Sequence, residues 1–365
     1  MTGLLREAYG DRAILLTGGT GFLGTALVEK ILRGLPELRR LYLLVRPSKE
    51  KGADERFWKD VLGSAAFDGL RERLGEDFEG YVRERVRVLE GDVHAPSLGL
   101  GEGQLAELSR EVDVVIHSAA SVVFDAPLDA ALASNVEGTL GLLRLARGWE
   151  RRPTFVHIST AYVAGVRRGL VPEAPPEGVS PNGTPLDPVA ELRRLSAEIS
   201  EVERASRERG LMRRFETEAQ RELGLVGSEE EVAARVEQLR RAWARERLVE
   251  RGNERARALG WHDVYTFTKS LAERMVVRER GELPLVIVRP AIIESSYREP
   301  YPGWIQGSRM ADPIIMAFAR GVLREFPGDP DSLVDLVPVD HVVNATLAAA
   351  ARRPKEPEVF QVASG

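Results

Sequence analysis

Short apolar runs recur along the chain, each separated from the next by a helical stripe or a polar turn, and this alternation predicts an α/β fold. Ala13-Ile-Leu-Leu-Thr17 is the first run, apolar almost throughout, as expected of a strand buried on both faces of a parallel sheet. Leu23, Leu27 and Ile31 then fall at helical spacing before Gly34 and Pro36 end the pattern. Further strands are predicted at 41–46, 86–93, 113–120, 154–160 and 285–290, with a helix over 128–148 carried by Leu132, Val136, Leu140 and Leu143. A last run at 358–365 reads as a strand with no helix after it, as at a fragment boundary. Strands alternating with helices in this way imply a doubly wound parallel sheet of the Rossmann type.

One stretch breaks the pattern. After a proline-rich loop at 172–188, the segment 189–260 becomes dense in Arg and Glu, with apolar stripes at Val189, Leu192, Leu195, Ile199 and Val202 and again at Val232, Val236, Leu239 and Trp243. Ser228-Glu-Glu-Glu231 opens the second stripe with a capping box and acidic residues at the positive helix end. The expectation is a charged helical insertion, with antiparallel helices bracketing 224–227, acting as a lid, a partner-binding arm or a solvated spacer. The nucleotide-binding domain then comprises 1–188 and 261–365, with a small substrate-binding part at about 290–330.

Glycines give the first strand its chemistry. Gly18-Gly-Thr-Gly21-Phe-Leu-Gly24 stands between a predicted strand and a predicted helix, the context a dinucleotide turn requires. Gly18 permits the tight turn, Gly21 lets backbone approach a pyrophosphate, and Gly24 lets helix and strand pack closely; free NH groups at the helix start hold phosphate. The second strand ends in Arg46 rather than an acidic residue, which points to NADP(H) rather than NAD, and Arg56 is a second candidate for its phosphate. Asp92 closes the third strand, beside Val93, where it suits an adenine edge. Ser118, Ala119 and Ala120 end the fourth with side chains small enough for a cofactor to pass.

The fifth run finishes in hydroxyls, Ser159 and Thr160, and beyond the insertion comes Tyr265-Thr-Phe-Thr-Lys269. Tyrosine and lysine four apart share a helix face, so an ammonium can stand beside a phenol whose ordinary pKa of ~10 is too high for acid–base work, and favour the phenolate. An ordinary amphipathic helix is the plain alternative for that spacing alone. With the glycine turn and Thr160, the three pieces form a hydride-transfer site: Thr160 holds a substrate oxygen, Tyr265 donates a proton, and Lys269 tunes the phenol and holds the nicotinamide ribose. Pro300-Tyr-Pro-Gly-Trp304 is expected as an aromatic loop near this site.

Composition narrows the field. The chain has 365 residues, 43% hydrophobic and 29% charged, with a net charge of −5, which gives no sign of a nucleic-acid partner. No run approaches the ~20 apolar residues of a membrane span, and the start lacks a signal core, so a cytoplasmic protein is expected, with a peripheral membrane contact left open. The five histidines are scattered, with no pair spaced as metal ligands, and satisfied interior imidazoles account for His117 and His157. There are no cysteines, so no covalent acyl thioester can form on the chain.

Thr17-Gly-Gly-Thr-Gly-Phe-Leu-Gly24, Thr160 and Tyr265-x-x-x-Lys269 resemble the extended short-chain dehydrogenases/reductases. His117-Ser-Ala-Ala-Ser-Val-Val-Phe-Asp125, Asn135-Val-Glu-Gly-Thr139, Val288-Arg-Pro-Ala-Ile-Ile-Glu294, Glu299-Pro-Tyr-Pro-Gly-Trp-Ile305 and Asp335-Leu-Val-Pro-Val-Asp340 narrow the resemblance to fatty acyl-CoA reductases. Ala291-Ile-Ile-Glu-Ser295 and Tyr-Thr-Phe-Thr-Lys suggest the bacterial alcohol-forming type. The resemblance covers most of the chain outside the insertion, which is longer than expected. It implies NADPH-dependent reduction of a long-chain acyl-CoA through an aldehyde to a primary alcohol, with Thr160, Tyr265 and Lys269 catalytic and Ser159 auxiliary. It also places Gly18, Gly21, Gly24, Arg46 and Asp92 on the cofactor and Ile292 and Ile293 beside the nicotinamide; Thr20, Phe22, Leu23 and Pro290 complete the expected contacts. Many relatives carry a further domain after the position of Gly365. Three alternatives stand beside this reading. They are an aldehyde-forming reductase of acyl-CoA or acyl-carrier protein, a nucleotide-sugar epimerase or dehydratase, and a non-catalytic NADPH-sensing scaffold.

Overall fold

A computed structural model describes residues 2–224, 228–307, 312–325 and 334–364. Seven strands form one parallel sheet: β1 (Ala13–Thr17), β2 (Arg40–Val45), β3 (Val86–Glu90), β4 (Val114–His117), β5 (Thr154–Ile158), β6 (Leu285–Pro290) and, beyond a small pair, β9 (Glu358–Val362). The order across the sheet is β3-β2-β1-β4-β5-β6-β9. Chain direction of travel therefore reverses between β1 and β4, and it is at such a switch point, beyond the carboxyl ends of the strands, that open α/β sheets bind ligands. The pair is β7 (Ile292–Glu294) with β8 (Leu336–Pro338), also parallel.

The apolar runs are continuous because both faces are covered. Along β1 every residue is buried, with Ile14 and Leu16 facing one core and Ala13 and Leu15 the other. Helices Phe22–Gly34 and Val339–Ala350 supply the first core; Gly138–Arg147 and Val264–Glu279 supply the second.

The charged insertion consists of three helices, Pro188–Ala205, Arg209–Leu223 and Glu229–Ala258. Asp187 caps the first and the Ser228–Glu231 capping box opens the third. Leu195 and Val202 of the first, with Ala244, Leu248 and Ala256 of the third, enter the second core. Arg255 adds a near-buried bidentate pair to Glu191 at 2.6 and 2.7 Å. Only the middle helix stands off, packed on the third through Phe215, Ala219 and Val236. The two helices expected to bracket 224–227 are thus Arg209–Leu223 and Glu229–Ala258, with 225–227 outside the described residues. The expected substrate elements at 290–330 are described only in part; within them, helix Asp312–Ala319 leaves Ile314, Ile315, Met316 and Phe318 exposed. Among the described residues no helix is long and apolar enough to cross a membrane.

Candidate active site

At the carboxyl end of β1 the chain turns at Gly18, whose φ of +75° suits glycine. A Cβ there would stand 2.7 Å from the Ala119 nitrogen, and one on Gly24 would stand 2.1 Å from the Gly18 carbonyl oxygen. Turn and close packing are therefore both written into these two positions. Helix Phe22–Gly34 starts at Gly21 without a side-chain cap and without an acidic residue in its first turn, so its leading NH groups remain for an anion. In front of that helix end lies a cleft of about 450 Å³. Gly18, Thr20, Gly21, Arg46, Arg56, Asp92, Val93, Ser118, Ala119 and Ala120 all line it, together with His94, Ser121 and Ser134. A glycine cradle, an uncapped helix end and a floor of small residues fit a dinucleotide.

At the far end of the cleft Arg46 is largely solvent-exposed, with its guanidinium 3.8 Å from Asp92. Asp92 accepts from the His94 backbone NH at 3.0 Å and lies 2.6 Å from His94 Nδ1, and these contacts hold its carboxyl below the usual range against the opposing effect of burial. Arg56 donates to the Arg46 carbonyl and approaches Asp60 at 3.6 Å, so its guanidinium is already engaged.

The other end of the site rests on β5 and helix Val264–Glu279. Ser159 and Thr160 follow β5, both buried. Thr160 donates to the Pro290 carbonyl at 3.4 Å, and its hydroxyl stands near enough to the Tyr265 phenol to act on that group's pKa. Tyr265 sits one turn before Lys269, as the spacing predicts. The expected tuning of phenol by ammonium is not what the geometry shows. Loss of solvent pushes the Tyr265 phenol up to about 12, helped by the Asp263 carboxylate and opposed by the Thr160 hydroxyl. Lys269 turns instead to the sheet, donating to the Ile158 carbonyl at 2.6 Å with His157 Nε2 3.5 Å away. Burial lowers its own pKa to about 8.

A buried lysine with that pKa makes a testable demand on stability. Its native value lies below the ordinary 10.5, so the unfolded chain holds a proton that the native state sheds between pH 8 and 10.5, and stability rises with pH across that window. Lys269→Met removes the cost of burying the cation, up to about 3 kcal/mol. Urea unfolding at several pH values should find the variant more stable than the parent below pH 8, with the gap closing by pH 10.5; a pH-independent gap would contradict the assignment.

The two strand histidines differ. Thr139 Oγ1 donates to the Asn135 carbonyl at 2.8 Å, so it must accept from His117 Nε2 at 2.9 Å, leaving Nδ1 to accept from Thr17 Oγ1 at 2.8 Å. His117 is thus a satisfied neutral imidazole, its pKa pushed down to about 3 by burial. His157 stacks on it at 5.9 Å and is also held neutral, yet its Nδ1 has no hydrogen-bond partner among the described residues, as does the Ser159 hydroxyl. Such buried polar atoms cost about 1–3 kcal/mol each, so satisfaction accounts for His117 and not fully for His157.

Several residues expected at the cofactor have side chains that do not line the cleft. Phe22 and Leu23 have side chains in the first core, where Phe22 meets Trp304 at 5.2 Å. The aromatic loop, expected beside the site, packs behind the glycine-turn helix: Trp304 is 2% exposed, Ser296 binds its backbone at 2.9 and 3.0 Å, and Glu299 pairs with Lys30 and Arg33. Ile292 and Ile293 are half-buried on β7, Ile293 against the first core. Pro290 enters through its carbonyl. Conversely, Asn135 was readable only as a polar residue inside an apolar helical stripe. It clasps Ser121 through both NH and carbonyl, at 2.9 and 3.2 Å, and donates to Thr268 of the Tyr265 helix at 3.0 Å.

A seven-stranded parallel sheet in this order, a glycine turn after β1 and a Thr–Tyr–Lys group past β5 define the extended short-chain dehydrogenase/reductase fold, built for a nicotinamide dinucleotide. The terminal R domain from the myxalamid PKS-NRPS biosynthetic pathway shares that fold, with a TM-score of 0.57 and 23% identity over 97% of this chain and 66% of its own. By sequence, the chain is 34% identical to fatty acyl-CoA reductase 2, chloroplastic, of Arabidopsis thaliana, covering 97% of this chain and 54% of the relative. It is 35% identical to the alcohol-forming fatty acyl-CoA reductase of Simmondsia chinensis, covering 99% and 68%. Residues 16–346 match the male sterility protein family, and the chain belongs to that family, that of the fatty acyl-CoA reductases. It spans between about half and two thirds of the length of these two relatives.

Proposed function

We propose that the protein is an NADPH-dependent reductase of long-chain fatty acyl-CoA, forming the alcohol through an aldehyde without a covalent acyl-enzyme. The observation that carries the reading is the grouping of Thr160, just past the carboxyl end of β5, with Tyr265, whose ring meets Phe124 on the loop that leaves the dinucleotide cleft, in a chain with no cysteine to capture an acyl group. When bound, a reduced dinucleotide would supply one hydride to the thioester carbonyl, and a second one, exchanged for the spent cofactor after the thiol has departed, would supply another to the aldehyde. Thr160 and Tyr265 both present hydroxyls to the carbonyl oxygen as negative charge gathers there. Tyr265 Oη, protonated throughout the neutral range, gives up its proton to that oxygen. Lys269, fixed on the Ile158 carbonyl, keeps a cation under the site.

Incubation of purified protein with palmitoyl-CoA and NADPH, following cofactor oxidation and identifying products by mass spectrometry, tests the proposal. Hexadecanol is expected; hexadecanal alone points to the aldehyde-forming variant, and no turnover of any acyl thioester by protein that still binds NADPH rejects it. Arg46 is the basis for choosing NADPH, because its exposed guanidinium lines the far end of the cleft. Arg46→Ala should weaken NADPH about tenfold or more, the loss of one charge-assisted contact, and leave NADH nearly unchanged. Equal loss for both, measured by cofactor fluorescence titration, would remove Arg46 from that role.

A further inference from the structure

Between β4 and the helix beginning at Leu128, three consecutive apolar side chains face solvent: Val122 at 55%, Val123 at 48% and Phe124 at 43% exposure. Single exposed apolar residues are ordinary, but a run of three beside a reactive group is not. Phe124 lies edge-on to the Tyr265 ring, with centroids 5.8 Å apart and planes at 69°. The run also continues directly from Ser118–Ser121, which line the dinucleotide cleft. It is not a loose loop. Asn135 holds Ser121 by two hydrogen bonds and ties it through Thr268 to the Tyr265 helix, while Ala126 and Leu128 anchor the other side in the core.

An apolar strip with one member fixed against the candidate proton donor offers a path for a substrate's alkyl chain as it leaves the reacting carbonyl. We infer that Val122, Val123 and Phe124 form the guide for the acyl tail of the thioester, and that they set the preference for long over short acyl chains. The inference rests on the acyl-CoA reductase reading and names the residues that read its substrate. The occupant is an alkyl chain rather than a polar arm because three adjacent side chains offer no hydrogen-bonding group. Phe124 has a second task, as it forms one wall against the phenol ring and limits water there.

The test uses two variants, Phe124→Ala and the paired Val122→Ser/Val123→Ser, the second leaving the Tyr265 contact intact. Binding of palmitoyl-CoA and of butyryl-CoA to the NADP⁺-loaded protein is measured by calorimetry, and kcat/KM for both substrates with NADPH in parallel. From the apolar area lost, the paired valine variant should weaken palmitoyl-CoA about tenfold and butyryl-CoA less than about twofold, with parental cofactor affinity. Phe124→Ala, which removes the wall against the phenol ring at the end common to both substrates, should lower turnover of both. In the paired valine variant, equal loss for the two chain lengths or no loss overturns the inference, as does failure of the parent protein to bind palmitoyl-CoA. A dimer of the parent that either variant dissociates, seen by sedimentation velocity, also overturns it by making the strip a subunit contact. Absence of turnover in the parent with chain-length-selective binding preserved would reject the reductase reading and leave the acyl guide standing.

Discussion

Tyr265→Phe lowers kcat/KM for an acyl thioester by ~10² to 10³, equivalent to about 3–4 kcal/mol of lost transition-state stabilisation, the effect of removing one oriented hydroxyl from a developing oxyanion. The ring is retained, so its packing with Phe124 at 5.8 Å and the buried helix around it persist. The lost atom is the phenol oxygen on which the Thr160 hydroxyl acts, and its proton is held to a pKa of about 12, which keeps the parent's phenol loaded at every pH an assay would use. NADPH affinity should therefore be unchanged by fluorescence titration while single-turnover rates collapse. A variant that keeps parental turnover would transfer the proton-donor role elsewhere, and a variant that loses cofactor as well would show that the phenol supports binding instead of chemistry.

The largest expected effect on stability belongs to Glu273, one helical turn beyond Lys269. Its carboxylate meets Arg289 of β6 at 2.7, 3.0 and 3.2 Å, with the two side chains only 1% and 5% exposed. Arg289 also donates to the Ala174 carbonyl at 3.3 Å, and the neighbouring Arg274 donates to the carbonyls of Glu177 and, at 2.8 Å, Val179. The pair thus locks the Tyr265 helix to the sheet and joins both to the proline-rich loop. Glu273→Met strands a buried guanidinium and Arg289→Met a buried carboxylate, and each should cost about 3–5 kcal/mol, whereas replacing both partners by Met should cost far less, since an apolar pair demands no charge compensation. Urea unfolding of the two single variants and the double variant gives the coupling directly; additive losses would show that the contact carries no specific energy. The Glu273 carboxylate also raises the pKa of Lys269 against burial, so Glu273→Met should make that lysine easier to deprotonate.

Much of this was open to inspection in the linear chain because the constraints are local. A strand buried on both faces must be apolar throughout, so Ala13–Thr17 and Leu285–Pro290 announce themselves. A left-handed turn, and a helix start so close to it that a Cβ on Gly24 would stand 2.1 Å from the Gly18 carbonyl oxygen, tolerate only glycine, which makes Gly18 and Gly24 legible. Tyr265 and Lys269 share a helix face by spacing alone.

Direction and company at long range were not open in the same way. Helical spacing placed Lys269 beside Tyr265 but could not say that its ammonium turns to the Ile158 carbonyl, because that partner lies more than a hundred residues away on another element. Nothing in the local pattern separates the exposed Val122, Val123 and Phe124 from the buried Val114, Val115 and Ile116, since exposure depends on what the rest of the chain fails to cover. Trp304, read beside the site, became core for the converse reason: the glycine-turn helix offered it Phe22. The sequence by itself determined the nucleotide-binding frame and the chemical groups available to it, through rules that act within a turn or a strand. The tertiary structure alone decided which of those groups meet, which are desolvated and which face an incoming chain, because burial and long-range pairing are properties of the assembled core.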